Sequence, residues 1–356
     1  MRTVGVEEEL LLVNPDTGAP VAVAGSVLAV GDDGLEAELQ QQQIETGTRP
    51  CETLTEVADE LRHWRSEAAS AAEQVGARIV ATGTSPLPVT PEVTVKPRYQ
   101  QMATAFALTT AEQLTCGCHV HVGIDSRDEG VAVMDRIRIW LPVLQALSAN
   151  SPYWQGVDSG YASFRSQVWR RLPTAGPTDR FGSAAGYDAT IDRLLASEVL
   201  LDKGMIYFDA RLSHHLPTVE VRIADVCLHR DDTVLIAALV RALVETAARS
   251  WHAGEPAPAV DTSVLRLATW RASRSGLTGD LLDPVHGIPL PAAQVIAELI
   301  DHVGDVLADQ GEHTVVADLL TALLDRGTGA DQQRQWAGVE GDLGSMVRKL
   351  AVVTTS

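Results

Sequence analysis

The sequence predicts an α+β fold in which an antiparallel sheet is covered by packed helices. Strand-like stretches gather before about residue 230 and helix-like stretches after it. No regular strand–helix–strand alternation runs along the chain, and such alternation is what a doubly wound parallel sheet requires. No repeat of 20–50 residues and no composition shift marks a linker. The expectation is one domain over 1–356, strand-rich over about 1–230 and helical over about 231–356.

The elements follow from local pattern. Val4 to Val13 reads as a strand closed by the turn Asn14-Pro15-Asp16-Thr17-Gly18. Glu36 to Glu45 reads as extended, with Gln40–Gln43 inside it, a run usually found on a solvated loop or helix face. Thr53-Leu54-Thr55-Glu56 matches a capping box, and a helix from Leu54 to about Val75 would place Leu54, Val57, Leu61, Trp64 and Ala68 on one face. Arg78 to Gly83 reads as a strand, then Pro86 and Pro88 stop regular structure. Arg98 to Leu108 and Asp128 to Ala149 read as helices. Thr115 to Ile124 alternates as a half-buried strand does: Cys116, Cys118, Val120, Val122 and Ile124 share one face, and Gly117, His119, His121 and Gly123 the other. Residues 150–161 and 172–186 read as long irregular loops, a kind that is often functional. Met205–Arg211 and Thr218–Ile223 are two more strands around Pro217. From Asp231 onward only helices are expected, at about 231–252, 261–275, 291–309, 312–326 and 330–351.

Charge and cysteine usage exclude several classes. With 28 basic and 47 acidic side chains the net charge is −19, a field that repels nucleic acid and anionic membranes. Arg98, Arg165, Arg170, Arg171, Arg211 and Arg222 leave room for a local basic pocket. The apolar runs are far shorter than the ~20 residues a bilayer span needs. The opening Met1 to Val6, followed by Glu7, has no signal-peptide pattern. Four unevenly spaced cysteines do not make a secreted disulfide framework. A cytoplasmic protein is expected.

Four constellations carry possible chemistry. On a strand, Glu7 and Glu9 face one side and Glu8 the other, and two carboxylates on one face suit Mg²⁺ or Mn²⁺, although an edge strand with surface acids has the same pattern. His119 and His121 share a face and suit a metal or a phosphate. Cys116 and Cys118 beside them raise a zinc alternative, but a regular strand turns them the opposite way. Glu220 and Arg222 alternate onto one face, either as a surface pair or as a metal ligand beside an anion-binding fork. Glu38 and Glu45 lie seven apart, so both can act only if the chain bends near the glutamine run. Jointly these put acids, histidines and arginines on one face of one sheet, which reads as the floor of a metal-dependent enzyme for anionic substrates.

Several segments then resemble the YbdK-type carboxylate–amine ligases, the glutamate–cysteine ligase type 2 family. They are Gly5-Val6-Glu7-Glu8-Glu9, Gly83-Thr84-Ser85-Pro86, Gly117-Cys118-His119-Val120-His121-Val122-Gly123, Leu147-Ser148-Ala149-Asn150-Ser151-Pro152, Asp158-Ser159-Gly160-Tyr161-Ala162-Ser163, Pro173-Thr174-Ala175-Gly176 and Thr218-Val219-Glu220-Val221-Arg222. They occur in family order between about residues 4 and 350. The resemblance implies a glutamine synthetase/glutamate–cysteine ligase-like fold, with an antiparallel sheet as the floor for ATP, Mg²⁺ or Mn²⁺, and an amino acid. It implies amide formation through an acyl phosphate, small-molecule carboxylate and amine substrates, and a homodimer. Glu7, Glu9, Glu38, Glu45, His119 and Glu220 resemble the metal ligands. Arg222 and His119 resemble the catalytic groups, and Arg165, Arg211 and His121 the cofactor- or substrate-binding ones. Loops 150–163 and 172–186 are the expected closing segments, since an acyl phosphate must be kept from water. Leu267-Ala268-Thr269, where the family commonly has an asparagine, and the glutamine-rich run depart from the pattern and bear on the substrate. Three other readings stay open at this point: a guanidino-kinase-like phosphotransferase, a non-catalytic nucleotide- or metal-binding homologue, and a zinc hydrolase.

Overall fold

The computed structural model describes residues 1–356. Eleven strands form: β1 Val4–Val13, β2 Leu35–Ala37, β3 Gln43–Gly47, β4 Arg78–Val80, β5 Gly117–Gly123, β6 Tyr153–Trp154, β7 Val157–Asp158, β8 Ala210–Leu212, β9 Thr218–Asp225, β10 Asp280–Leu282 and β11 Pro289–Pro291. Seven make one sheet in the order β2-β3-β1-β5-β9-β8, with β4 beside the far end of β1. Every pairing is antiparallel, as the absence of strand–helix alternation predicts. β6–β7 and β10–β11 are separate hairpins.

The period of two decides what each face carries. Val4 and Val6 of β1, Cys118, Val120 and Val122 of β5, and Val219 and Val221 of β9 enter the main core. Helices Leu54–Gln74, Arg127–Ile137 and Arg230–His252 pack behind them. The helix Arg230–His252 is buried nearly all round, as a helix sandwiched between a sheet and further helices must be. The capping box forms as predicted: Thr53 accepts from the Glu56 amide and the Glu56 carboxylate accepts from the Thr53 amide.

Some expectations are corrected. Asp128–Ala149 is two helices, Arg127–Ile137 and Leu141–Leu147, because Pro142 fits only a first turn. The last helix is likewise two, Gly329–Glu340 and Leu343–Thr354, divided where Gly341 takes a left-handed conformation (φ 76°). The β10–β11 hairpin interrupts the supposedly all-helical part. Helices Ala24–Val30 and Ala184–Ala196 stand where no helix is expected. Gln40, Gln42 and Gln43 are buried, not solvated. Gln40 donates to the Thr110 carbonyl and Gln42 to that of Thr90, so they tie the turn between β2 and β3 to the short helix Leu108–Ala111 and to the loop at Thr90.

Candidate active site

The sheet register assembles the site in rows. Arg211, Glu220, His121 and Gly5 stand opposite one another across β8, β9, β5 and β1. The next rows hold His119, Glu7 and Gly47, and Glu9, Glu45 and Glu36. A one-residue slip in any strand would turn its polar set into the core. Glu8, between Glu7 and Glu9, does face the core, where Arg65 grips it with bonds of 2.7 and 2.8 Å.

Above this floor lies a cavity of about 990 Å³, walled in part by Glu7, Glu9, Glu38, Glu45, His119 and Arg222. Arg211, Arg98, Lys203 and His214 stand at its basic side. The turn over residues 38–42 supplies the bend that brings Glu38 back over Glu45. Ligand atoms of Glu9, Glu38 and Glu45 come within 4.8 Å of one another, as do those of Glu7, Glu45 and His119, and of Glu7, His121 and Glu220. The two cysteines join none of these groups and are buried in the core, which removes the zinc reading.

Each group's charge follows from its surroundings. Burial and the neighbouring Glu38 push the Glu9 carboxyl up to about 7, against the partial offset of Arg165 and a 2.5 Å hydrogen bond from the Gly117 amide. Glu45 is raised well above the usual range by burial and by Glu38, Glu7 and Glu9. Burial would raise Glu220 too, but Arg222 and Arg211 outweigh it and hold it below the usual carboxylate range. Arg211 binds Glu220 in a fork at 2.7 and 3.1 Å, and Arg222 binds it from the other side. Burial and then Arg222 push His119 down to about 4. His119 is therefore neutral at pH 7, and its 3.0 Å contact with Glu7 is a hydrogen bond from Nδ1–H instead of an ion pair. Burial acts to raise Glu7, yet the hydrogen bond from His119 and the nearness of His121 prevail and hold it low. His121 Nδ1 meets the Thr218 hydroxyl at 3.0 Å, and its Nε2 lies 3.1 Å from Glu7, out of line for a hydrogen bond.

These residues fit divalent cations. Carboxylates crowd together with too little positive charge between them, and the Nε2 atoms of His119 and His121 are buried without a hydrogen-bond partner. A neutral histidine bonded through Nδ1 to a carboxylate and free at Nε2 is the form a metal ligand takes. Oxygen donors with one or two imidazoles suit Mg²⁺ or Mn²⁺.

Arg165 does not reach this cavity. It is 2 % exposed and lies behind Trp169, beyond the Gly117 end of the floor, donating to the carbonyls of Arg222 and Ile223. None of residues 150–163 lines the cavity; Asp202 to Gly204 and Ser213 to His215 do. From the stretch 172–186 only Leu172 takes part. Gln43, Gln113, Thr115, Tyr99 and Trp169 also line it and carry no spacing signal, because they come from four separate segments.

Residues 3–349 match glutamate-cysteine ligase family 2 (GCS2). The chain belongs to this family. The "Putative glutamate--cysteine ligase 2-1" of Streptomyces avermitilis is 52 % identical over 94 % of each chain. The protein of Frankia alni named with the suffix 2-2 is 50 % identical over 100 % of this chain and 98 % of its own. In solved structures the chain resembles a glutamate–cysteine ligase from Francisella tularensis in complex with AMP, with TM-score 0.70, 12 % identity, and coverage of 99 % of this chain and 88 % of that one. It also resembles a bifunctional glutathione synthetase from Pasteurella multocida, with TM-score 0.73, 15 % identity, and coverage of 99 % and 52 %. At those identities the likeness shows the fold, which is the glutamate–cysteine ligase-like sheet with packed helices.

Proposed function

We propose that this family member is an ATP- and Mg²⁺-dependent carboxylate–amine ligase acting on small molecules, an amino-acid carboxylate and an amine. The observation that carries the reading is the convergence of Glu7, Glu9, Glu38, Glu45 and His119 on one cavity floor beside Arg211 and Arg222, with His121 and Glu220 within ligand distance of Glu7. ATP and a carboxylate are both anions, and divalent cations supply the positive charge that lets them approach. Glu7, Glu9, Glu38, Glu45, His119, His121 and Glu220 would hold those cations. The carboxylate takes the γ-phosphoryl group, giving an acyl phosphate and ADP, and the amine then displaces phosphate to give the amide.

The protein's own groups have separate tasks. Arg222, oriented by Glu220, is placed to bind a phosphoryl or carboxylate oxygen through its planar fork. Arg211 fixes Glu220 from the far side. Neutral His119 stays free at Nε2 because Glu7 occupies Nδ1–H. Lys203 on the basic side suits a nucleotide phosphate, beside Arg98, which Asp202 holds in a fork. Asp202 to Gly204 and Ser213 to His215 stand at the rim, where closure would exclude water from an acyl phosphate.

The test is direct. Purified protein is incubated with ATP and Mg²⁺ and screened with amino acids paired with amines, beginning with glutamate and cysteine. Phosphate release that needs both partners, with a product lighter than their sum by one water, establishes the ligase. Glu220→Ala should abolish it while the variant stays folded. ATP consumption yielding a phosphorylated nitrogen compound, with no free phosphate, would instead mark a kinase.

A further inference from the structure

We propose that Arg165 is a positioning residue that pins a β-bulge in β9 and thereby aims Arg222 and the Gly117 amide into the site. The inference rests on the ligase reading for its kinetic test and on the fold alone for its structural one.

The bulge is visible in the register. Gly117 and Cys118 pair with Asp225 and Ala224, but Val120 pairs with Val221. Thus Arg222 and Ile223 together stand opposite His119 alone. Such an extra residue bends the strand and re-aims side chains. Here the effect is specific. Under strict alternation Asp225 would share a face with Ile223 and point into the core. With the bulge, Ile223 and Ala224 both enter the core, and Asp225 returns to the side of Gly117, Arg222 and Glu220.

A bulge leaves backbone groups without ladder partners, and a buried carbonyl needs a donor. Arg165 supplies it: Nη2 donates to the Arg222 carbonyl and Nη1 to the Ile223 carbonyl, each at 3.3 Å. Both bulged residues are therefore held by one guanidinium. Arg165 is itself held from four directions. Its Nη1 lies 3.9 Å from Asp225, whose carboxylate is fixed by Ser151, Ser163 and the Asn150 amide. Its backbone amide donates to the Ser151 hydroxyl. Its face lies 5.5 Å from the Trp169 ring, the ring that Arg222 also approaches, at 5.8 Å. On the remaining side it abuts Gly117, where a Cβ would fall 2.2 Å from Nη2. The Gly117 amide beyond it donates to Glu9. One buried side chain thus sets the backbone on both sides of His119.

Two substitutions disturb this clamp from opposite ends. Arg165→Lys keeps the charge but cannot reach two carbonyls with a rigid fork. Gly117→Ala keeps Arg165 and pushes its guanidinium aside, so it keeps the question open if Arg165→Lys does not fold. Both should lower kcat roughly 10–100-fold, the usual cost of losing a group that orients a ligand, while KM for ATP and for the carboxylate changes little. Arg165→Ala should regain activity on adding guanidinium ion. Amide hydrogen exchange in residues 220–225 should quicken in both variants, with the β1–β3 pairing unchanged. The opposite pattern, a raised KM with kcat and exchange unaltered, would make Arg165 a substrate ligand and overturn the proposal, as would wild-type behaviour of both variants. If the wild type ligates no pair of substrates, the ligase reading fails while the exchange measurement still decides the clamp.

Discussion

Glu7 and Glu8 are adjacent, and their surroundings give them opposite work. Glu7 meets two histidines over the cavity, whereas Glu8 is 1 % exposed and bound by Arg65 and the Thr233 hydroxyl. Arg65 also donates to the carbonyls of Cys227, Leu228 and Thr354, so it joins β1 to the chain after β9 and to the last helix. Removing one member of such a buried pair strands the other charge, so Arg65→Met should cost about 3–5 kcal/mol in urea unfolding. Glu8→Gln added to it should recover part of that loss. If the single variant loses less than the double, the pair does not hold these elements together. Asp209 gives a pH signature. Burial pushes its carboxyl up to about 6, against partial offsets from Arg170 and Arg165. The folded state therefore holds this proton more tightly than the unfolded chain, near 3.8. The stability it contributes is complete below that value and is lost as pH rises through about 6. Asp209→Asn should flatten the fall in stability between about pH 4 and pH 7, by on the order of 2–3 kcal/mol. Parallel pH curves for variant and wild type would refute the assignment.

At the scale of elements, local signals decided what could be foreseen. The helix Leu54–Gln74 announces itself by its cap and its apolar spacing, and losing the Thr53 hydroxyl leaves the Glu56 amide unpaired. Thr53→Ala should therefore lower stability by about 1 kcal/mol in thermal unfolding without touching activity, and an unchanged midpoint would mean that packing alone fixes this end. β1 and β5 are equally legible, since period-two alternation assigns Glu7, Glu9, His119 and His121 to one face. The division of 128–149 turns on one proline, which the apolar periodicity conceals. The β9 bulge cannot be read from Thr218 to Asp225 at all. It is a relation between two strands, and only the pairing with β5 shows that Arg222 and Ile223 share one opposite residue. This is why Arg165, an arginine next to a segment of family resemblance, reads as a ligand in the sequence and is buried behind the cavity wall in the structure. The cavity walls from Tyr99, Gln113 and Lys203 are invisible for the same reason, being separated in sequence and joined only by folding.

For the whole molecule, the main core couples the two parts of the sequence. Its 61 buried residues include Val4 and Val6 of β1 together with Leu299, Val303 and Leu323 of the C-terminal helices. Neither part buries its apolar surface without the other, and we infer that they unfold together. Calorimetry should give one transition, and two resolved transitions would divide the chain near residue 230. The charge of the molecule bears on ligand binding in the same measurement. A net charge of −19 opposes ATP, and the crowded carboxylates of Glu9, Glu38 and Glu45 oppose one another. Divalent cations relieve both, so Mg²⁺ alone should raise the midpoint, and Mg²⁺ with ATP should raise it further. Saturation at a hundredfold excess over Kd corresponds to about 2.7 kcal/mol. ATP with a chelator should give little or no rise, because the nucleotide then meets the acids directly. Glu45→Gln should raise the midpoint without metal, by removing one repelling carboxylate, and should shrink the Mg²⁺ increment. A variant that loses stability without metal yet keeps the full increment would place the cations elsewhere.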